Sequence, residues 1–290
     1  MKFDKNTKIL IVGLGLIGGS YAKALSDNGY FVGAIDKKKS SVEYALKNGL
    51  IQVGETSVKK DFVKDFDLIV FALYPHDFIN WIKEYQSSIK SGALITDVTG
   101  VKSFVVENVQ KILRGDLEFV GAHPMAGKEV SGVENADPKI FVGANYIVTP
   151  TKRNTDENVQ AVQDLGRALG FERVSSLSPE EHDETVGFLS HLTHCIAVSL
   201  MVSKKSQHLA EYTGDSFRDL TRIAKINDEM WSELFLANKD ELLKQMDLFE
   251  EKFNQLKEDI KNDNREKIRE TLRESTARRK VFDKDAKETK

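Results

Sequence analysis

KILIVGLGLIGGS, residues 8–20, is the stretch from which the rest of the chain can be read. KILIV is a short apolar run rich in β-branched residues. A glycine cluster ends it, and SYAKALSDNG follows with helical spacing and Gly29 as a stop. The order is strand, turn, helix. Within it Gly13, Gly15 and Gly18 match G-x-G-x-x-G, a weak pattern alone because glycine loops are common, but a strong one in this setting. Gly13 takes the tight turn, Gly15 lets a pyrophosphate approach the backbone, and Gly18 lets helix and strand close on each other. Leu16 and Ile17 open the helix, whose first N–H groups and partial positive charge face the phosphates. Asp36 ends the next strand, FVGAID, roughly 20 residues on, where a carboxylate accepts hydrogen bonds from ribose hydroxyls and repels a 2′-phosphate. The reading is NAD over NADP, softened by Lys37, Lys38 and Lys39 immediately after. A glycine turn with no ligand is the competing reading; the placement of strand, helix and Asp36 together argues against it. Leu73, Tyr74 and Pro75 end the strand DLIVFAL and are expected to wall the cofactor cleft.

A chain of 290 residues is long enough for two domains, each with its own core. Its 42 basic residues are interspersed with 45 acidic ones, giving a net charge of −3, so neither a nucleic-acid footprint nor a basic membrane-binding stripe is expected. The apolar run at the N-terminus is too short for a signal segment or a membrane span, and the cytoplasm is the expected compartment. Cys195 is the single cysteine, set in an apolar stretch where packing is the ordinary outcome. Strand-like runs at 8–12, 31–36, 67–73, 93–99, 117–123 and 144–150 alternate with helical or turn-rich sequence, as a doubly wound fold does. The expectation is an α/β Rossmann-type nucleotide-binding domain over 1–150, then an all-α helical domain for substrate and dimerisation over 151–290. In the second part only ERVSSLS, 172–178, reads as a strand. Ser178-Pro179-Glu180-Glu181 is a helix start with a capping box. The helix it opens, DETVGFLSHLTHCIAVSLMVS, is apolar around much of its circumference and should be covered between domains or subunits. Leu242, Met246, Phe249, Phe253, Leu256 and Ile260 form one helical face, read as core or dimer packing and not as a cofactor box. The terminal DKDAKETK is expected to fray.

His123, in VGAHPMAGKEVSG, ends a predicted strand and is followed by a loop that packing does not explain. If it lies at the carboxyl edge of the sheet it stands near the nicotinamide. A histidine of pKa ~6.5 can take the proton of a hydroxyl whose carbon loses hydride. A loop histidine satisfied by backbone is the bland alternative. His191 and His194, with Cys195, superficially suggest metal ligands, but no further acidic or cysteine ligand stands out, and no metal is expected. His182 and His208 receive no role.

GLGLIGG, ITDVTGVK, GAHPMAGKEVSG, SPEEHD, SHLTH and FRDLTRIA, in this order, resemble the prephenate dehydrogenase family over about residues 8–260. The resemblance implies NAD-dependent oxidative decarboxylation of prephenate, or of arogenate, on the way to tyrosine. It implies that His123 bonds the ring C4 hydroxyl, that Arg222 binds a substrate carboxylate, that His194 faces the pocket in a binding role, and that Glu129 forms a gating ion pair with the arginine across a homodimer. Asp219, one helical turn before Arg222, could orient it, or form with it an ordinary surface pair. Many members carry a serine where this chain has Gly100. Thr99 is expected to supply the missing hydroxyl. The chain leaves no room for an appended regulatory domain, so any tyrosine inhibition is expected at the active site. A β-hydroxyacid or imine reductase would use a lysine of the helical part, and none stands out. A non-catalytic NAD-sensing protein that keeps the fold is the alternative of another class, encouraged only by Gly100.

Overall fold

The computed structural model describes residues 1–205 and 208–282, so the tail DKDAKETK lies outside the described residues. The chain forms two compact units, Met1–Lys239 and Asp240–Lys290. The first opens with β1 (Lys8–Val12), α1 (Leu16–Asp27), β2 (Phe31–Ile35), α2 (Lys39–Lys47), β3 (Val53–Glu55), α3 (Lys60–Val63) and β4 (Leu68–Phe71). It continues through α4 (Pro75–Tyr85), β5 (Leu94–Asp97), α5 (Ser103–Ile112) and β6 (Glu118–Phe119). All six strands are parallel in the order β3-β2-β1-β4-β5-β6. Helices on both faces explain why the strands read as continuous apolar runs. Ile9 and Ile11 of β1 pack with Tyr21, Leu25 and Val70 on one side. Leu10 and Val12 pack with Phe71, Phe78 and Ile95 on the other. β3 escaped the sequence reading because VGE offers one apolar side chain and no alternation.

The run 117–123, expected to be one strand of the nucleotide sheet, is two. β6 ends the large sheet, and β7 (Gly121–Pro124) leaves it to pair antiparallel with β8 (Asn145–Thr149) in a second sheet. Gly121 permits the change of sheet: a Cβ there would lie 2.5 Å from Thr149 Oγ1. The small sheet is completed by β9 (Arg173–Ser176), parallel to β8, after α6 (Asp156–Ala168). Residues after Pro150 thus finish a sheet begun before it, because β8 needs β9 as its second neighbour.

α7 (Pro179–Val186) begins with the expected capping box: Ser178 Oγ accepts from Glu181 N at 3.1 Å, and Glu181 Oε2 accepts from Ser178 N at 2.8 Å. A π-helical turn, Gly187–Leu192, joins it to α8 (Thr193–Val202). By length and composition alone Pro179–Val202 could cross a membrane. It nevertheless turns His182, Asp183 and His191 inward as buried, hydrogen-bonded groups. Phe188, Leu189, Met201 and Val202 are left exposed on the chain. α9 (Asp215–Thr221) and α10 (Asp228–Ala237) follow. The second unit is a helical hairpin of α11 (Lys239–Lys261) and α12 (Arg265–Arg279), turning at Asp263 with φ 52°. Of the apolar face of α11, Leu242 is buried, whereas Met246, Phe249, Phe253 and Ile260 are exposed.

Candidate active site

At the nucleotide end the three glycines have different tasks. Gly13 has φ +101°, and a Cβ on it would lie 2.4 Å from Ala72 O. A Cβ on Gly18 would lie 1.9 Å from Gly13 O, so helix and strand meet only without one. Around Gly15 a Cβ would find nothing within 4 Å, which leaves an open cradle at the start of α1, a helix with no side-chain cap on its N–H groups. Leu16 and Ile17 form its first turn, Leu16 buried. Asp36 stands at the tip of β2; its Oδ2 accepts from Leu14 N at 2.6 Å and its Oδ1 from Lys38 N at 2.7 Å, fixing the carboxylate beside the loop. Leu73 reaches the Gly13 turn, Tyr74 precedes α4, and Pro75 starts it. The Tyr74 hydroxyl accepts from Asn227 Nδ2 at 3.2 Å. The open, uncapped cradle with an acid at the second strand's tip fits the pyrophosphate and ribose of NAD.

The second centre lies beyond the end of β5. Asp97 is fully buried and gathers three segments: its Oδ1 accepts from Ala122 N at 3.0 Å, and its Oδ2 accepts from Lys102 Nζ at 2.6 Å and from Thr99 N at 3.0 Å. Lys102 Nζ also donates to Ala122 O at 2.6 Å. Burial lowers the Lys102 ammonium, against the attraction of Asp97. This buried pair holds β7 against the carboxyl end of β5 and so places His123, although His123 belongs to the second sheet and not, as expected, to the nucleotide sheet.

Thr99 does not supply a hydroxyl to His123. Its Oγ1 donates to Asp97 Oδ2 and lies 3.0 Å from Val101 O, so its single proton is spent inside the turn. The partner of His123 is His182, with Nδ1 to Nε2 at 2.8 Å. His182 Nδ1 in turn meets Asp183 Oδ1 at 2.8 Å, and the Asp183 carboxylate accepts from Lys102 N at 2.7 Å and Ser103 N at 2.8 Å. Burial drives the His123 pKa well below its ordinary value, aided by His182 and Lys102. Burial also raises Asp183, but its bonds to His182 and to the two backbone N–H groups outweigh that and hold it low. No protein group hydrogen-bonds His123 Nε2 among the described residues. A Cβ on Gly100 would sit 3.8 Å from His123 Cε1 and 3.5 Å from Leu234, ordinary contact, so space does not dictate the glycine.

The remaining expected residues gather around α8. His194 stacks on Trp231 with centroids 3.7 Å apart, and its Nδ1 donates to Ser190 O at 2.8 Å. Arg222 pairs with Glu129 within the chain, where the resemblance implies a pair across a homodimer. Both side chains are exposed. Asp219 makes no ion pair with Arg222, whose guanidinium is turned to Glu129 instead. His191 is buried, with Trp231 and Phe235 edge-on to its ring and Asn238 Nδ2 3.2 Å from its Nδ1; burial lowers its pKa to about 4. Among the described residues no group of three or more His, Cys, Asp or Glu side chains is arranged to hold a metal ion. Asp97, Lys102, His182, Asp183, Trp231 and Leu234 were missed from the sequence. The one available signal was HD in the first turns of an all-round apolar helix, where polar groups need buried partners.

The family model for the prephenate dehydrogenase nucleotide-binding domain matches residues 21–173, and that for the prephenate dehydrogenase dimerization domain matches 178–274. A prephenate dehydrogenase of Bacillus subtilis is 35% identical over 82% of this chain, which spans only 66% of that relative's length. A cyclohexadienyl dehydrogenase of Zymomonas mobilis is 29% identical, over 96% of both chains. The crystal structure of prephenate dehydrogenase from A. aeolicus in complex with hydroxyphenyl propionate and NAD+ superposes with a TM-score of 0.87 at 34% identity, covering 96% of this chain and 98% of that one.

Proposed function

The chain belongs to the prephenate dehydrogenase family, and on that premise we propose that it oxidatively decarboxylates prephenate to 4-hydroxyphenylpyruvate, a step of tyrosine biosynthesis, as a cytoplasmic homodimer. The observation that carries the chemistry is His123, neutral by burial and, among the described residues, hydrogen-bonded to protein through Nδ1 alone. NAD, when bound at the glycine loop, supplies the acceptor for the hydride that leaves C4 of the substrate ring. His123 accepts the proton of the C4 hydroxyl at Nε2 as the carbonyl forms. Loss of the ring carboxylate as carbon dioxide makes the ring aromatic and supplies the driving force. Arg222 binds the side-chain carboxylate, a task suited to a planar guanidinium that can offer two parallel N–H donors. Glu129 holds that guanidinium before substrate arrives and yields it to the incoming carboxylate. His194, its ring tilted 31° against Trp231, lines the pocket.

Arogenate is the second substrate reading, favoured by the cyclohexadienyl dehydrogenase relative; it differs by an amino group in place of the side-chain keto oxygen. The test is paired kinetics. His123→Asn lowers kcat by ~100-fold or more, the scale of lost general-base assistance, while NAD affinity is kept. Arg222→Ala mainly raises KM. Unchanged kcat in the first variant removes His123 from the chemistry, and unchanged KM in the second removes Arg222 from the pocket.

A further inference from the structure

We infer that His182 and Asp183 form a positioning pair that fixes His123 in the one tautomer able to act as a base, with the proton on Nδ1 and the lone pair on Nε2. The inference rests on the proposed role of His123 and deepens it.

The direction of each hydrogen bond follows from what each atom can do. The Asp183 carboxylate receives two backbone N–H groups at the start of α5, Lys102 N on Oδ1 and Ser103 N on Oδ2, and is all but inaccessible to water. Such a carboxylate stays ionised and can only accept. His182 Nδ1, 2.8 Å from Asp183 Oδ1, must therefore donate. His182 is itself fully buried, and burial, with Lys102 nearby, holds it neutral against the pull of Asp183 and Asp97. A neutral imidazole has a single N–H, so His182 Nε2 is an acceptor. Across the next 2.8 Å contact, His123 Nδ1 must donate. The only lone pair left on the neutral His123 ring is at Nε2, the atom with no protein partner among the described residues. The opposite tautomer would place two lone pairs face to face at the His123–His182 contact and a proton where the substrate proton has to go.

The pair also suits the moment of reaction. When Nε2 takes a proton, the His123 imidazolium still donates through Nδ1 to His182, and Asp183 lies behind it as a fixed negative charge. No proton has to move along the chain. The geometry is braced from outside: Asn238 Nδ2 donates to Asp183 O at 2.9 Å, and the N-terminus of α5 anchors the carboxylate. In sequence the pair is the HD of SPEEHD, 59 residues from the histidine it serves.

Three variants and one spectrum test this. Gln in place of His182 can reproduce both contacts, donating to Asp183 through Nε2 and accepting from His123 through Oε1; Phe can make neither. His182→Phe should lose roughly 10²–10⁴-fold in kcat, the scale of a wrong-tautomer loss in a hydrolase triad, with substrate KM and NAD affinity unchanged, and His182→Gln should recover most of it. Two-bond ¹H–¹⁵N correlation of the wild-type protein should show neutral His123 protonated at Nδ1, and the Phe variant should show the Nε2-protonated form gaining population. Wild-type kcat in His182→Phe, or an Nε2-protonated His123 in the native protein, overturns the inference. Should the Phe variant fail to fold, the native spectrum and the Gln variant decide alone. His123→Asn separates the two claims: turnover that survives it defeats the proposed role of His123, while the tautomer remains readable from the spectrum.

Discussion

Asp183 and the three histidines His123, His182 and His191 show how burial sets chemistry one group at a time. Each histidine lies below its ordinary pKa because its ring is taken out of water, His191 to about 4. For catalysis this keeps His123 unprotonated well below the ordinary histidine range, so kcat/KM should stay flat as pH falls through 6.5 and decline only in more acidic solution. Between the folded and unfolded pKa values the unfolded chain binds more protons, so stability rises with pH there and is lost as pH falls from ~6.5 toward the folded values. His191 alone corresponds to on the order of 3 kcal/mol across that window. Urea unfolding at several pH values in native and His191→Gln protein reads this directly: the slope should shrink in the variant, and an unchanged slope would contradict the assignment.

At the scale of elements, much was legible because the glycine loop is local: strand, turn, helix and Asp36 all follow from residues within one βαβ unit. Gly15 and Gly18 make the physical reading separable. Gly18→Ala should unfold or grossly destabilise the domain, since the added carbon would lie 1.9 Å from Gly13 O. Gly15→Ala should keep its thermal midpoint yet lose at least ~10-fold in NAD affinity, because its carbon meets no protein but fills the cradle. Equal NAD affinity in Gly15→Ala would remove the cradle from the cofactor site. What sequence could not show was the break at Gly121. The run 117–123, LEFVGAH, reads as one continuous strand in which a lone Gly121 is a weak break signal, and the sheet change depends on Asp97 and Lys102, brought together only by the fold. Thr99 was misjudged for the same reason: its hydroxyl looks free in sequence and is claimed by Asp97 in space. His182 stayed unassigned because its partner lies in another element.

At the scale of the whole molecule, apolar surface remains uncovered on the single chain. Phe188, Leu189, Met201 and Val202 flank the long helix, and Met246, Phe249, Phe253 and Ile260 mark one face of α11. Residues 178–274 match the family's dimerization domain, and in the proposed homodimer such faces are the ones a second copy would cover. The expected stripe was legible from its spacing, but whether core or partner covers it was not, since both demand the same periodicity. Phe253→Asp should therefore shift the protein from dimer toward monomer in light scattering while leaving its helical circular dichroism intact; an unaltered dimer would place the interface elsewhere. Purified protein mixed with NAD⁺ should generate NADH absorbance at once on adding prephenate, with arogenate and NADP⁺ as parallel arms that report side-chain and cofactor preference. No NADH with either substrate, in protein shown to bind NAD⁺, would contradict the account and leave a nucleotide-binding protein without this chemistry.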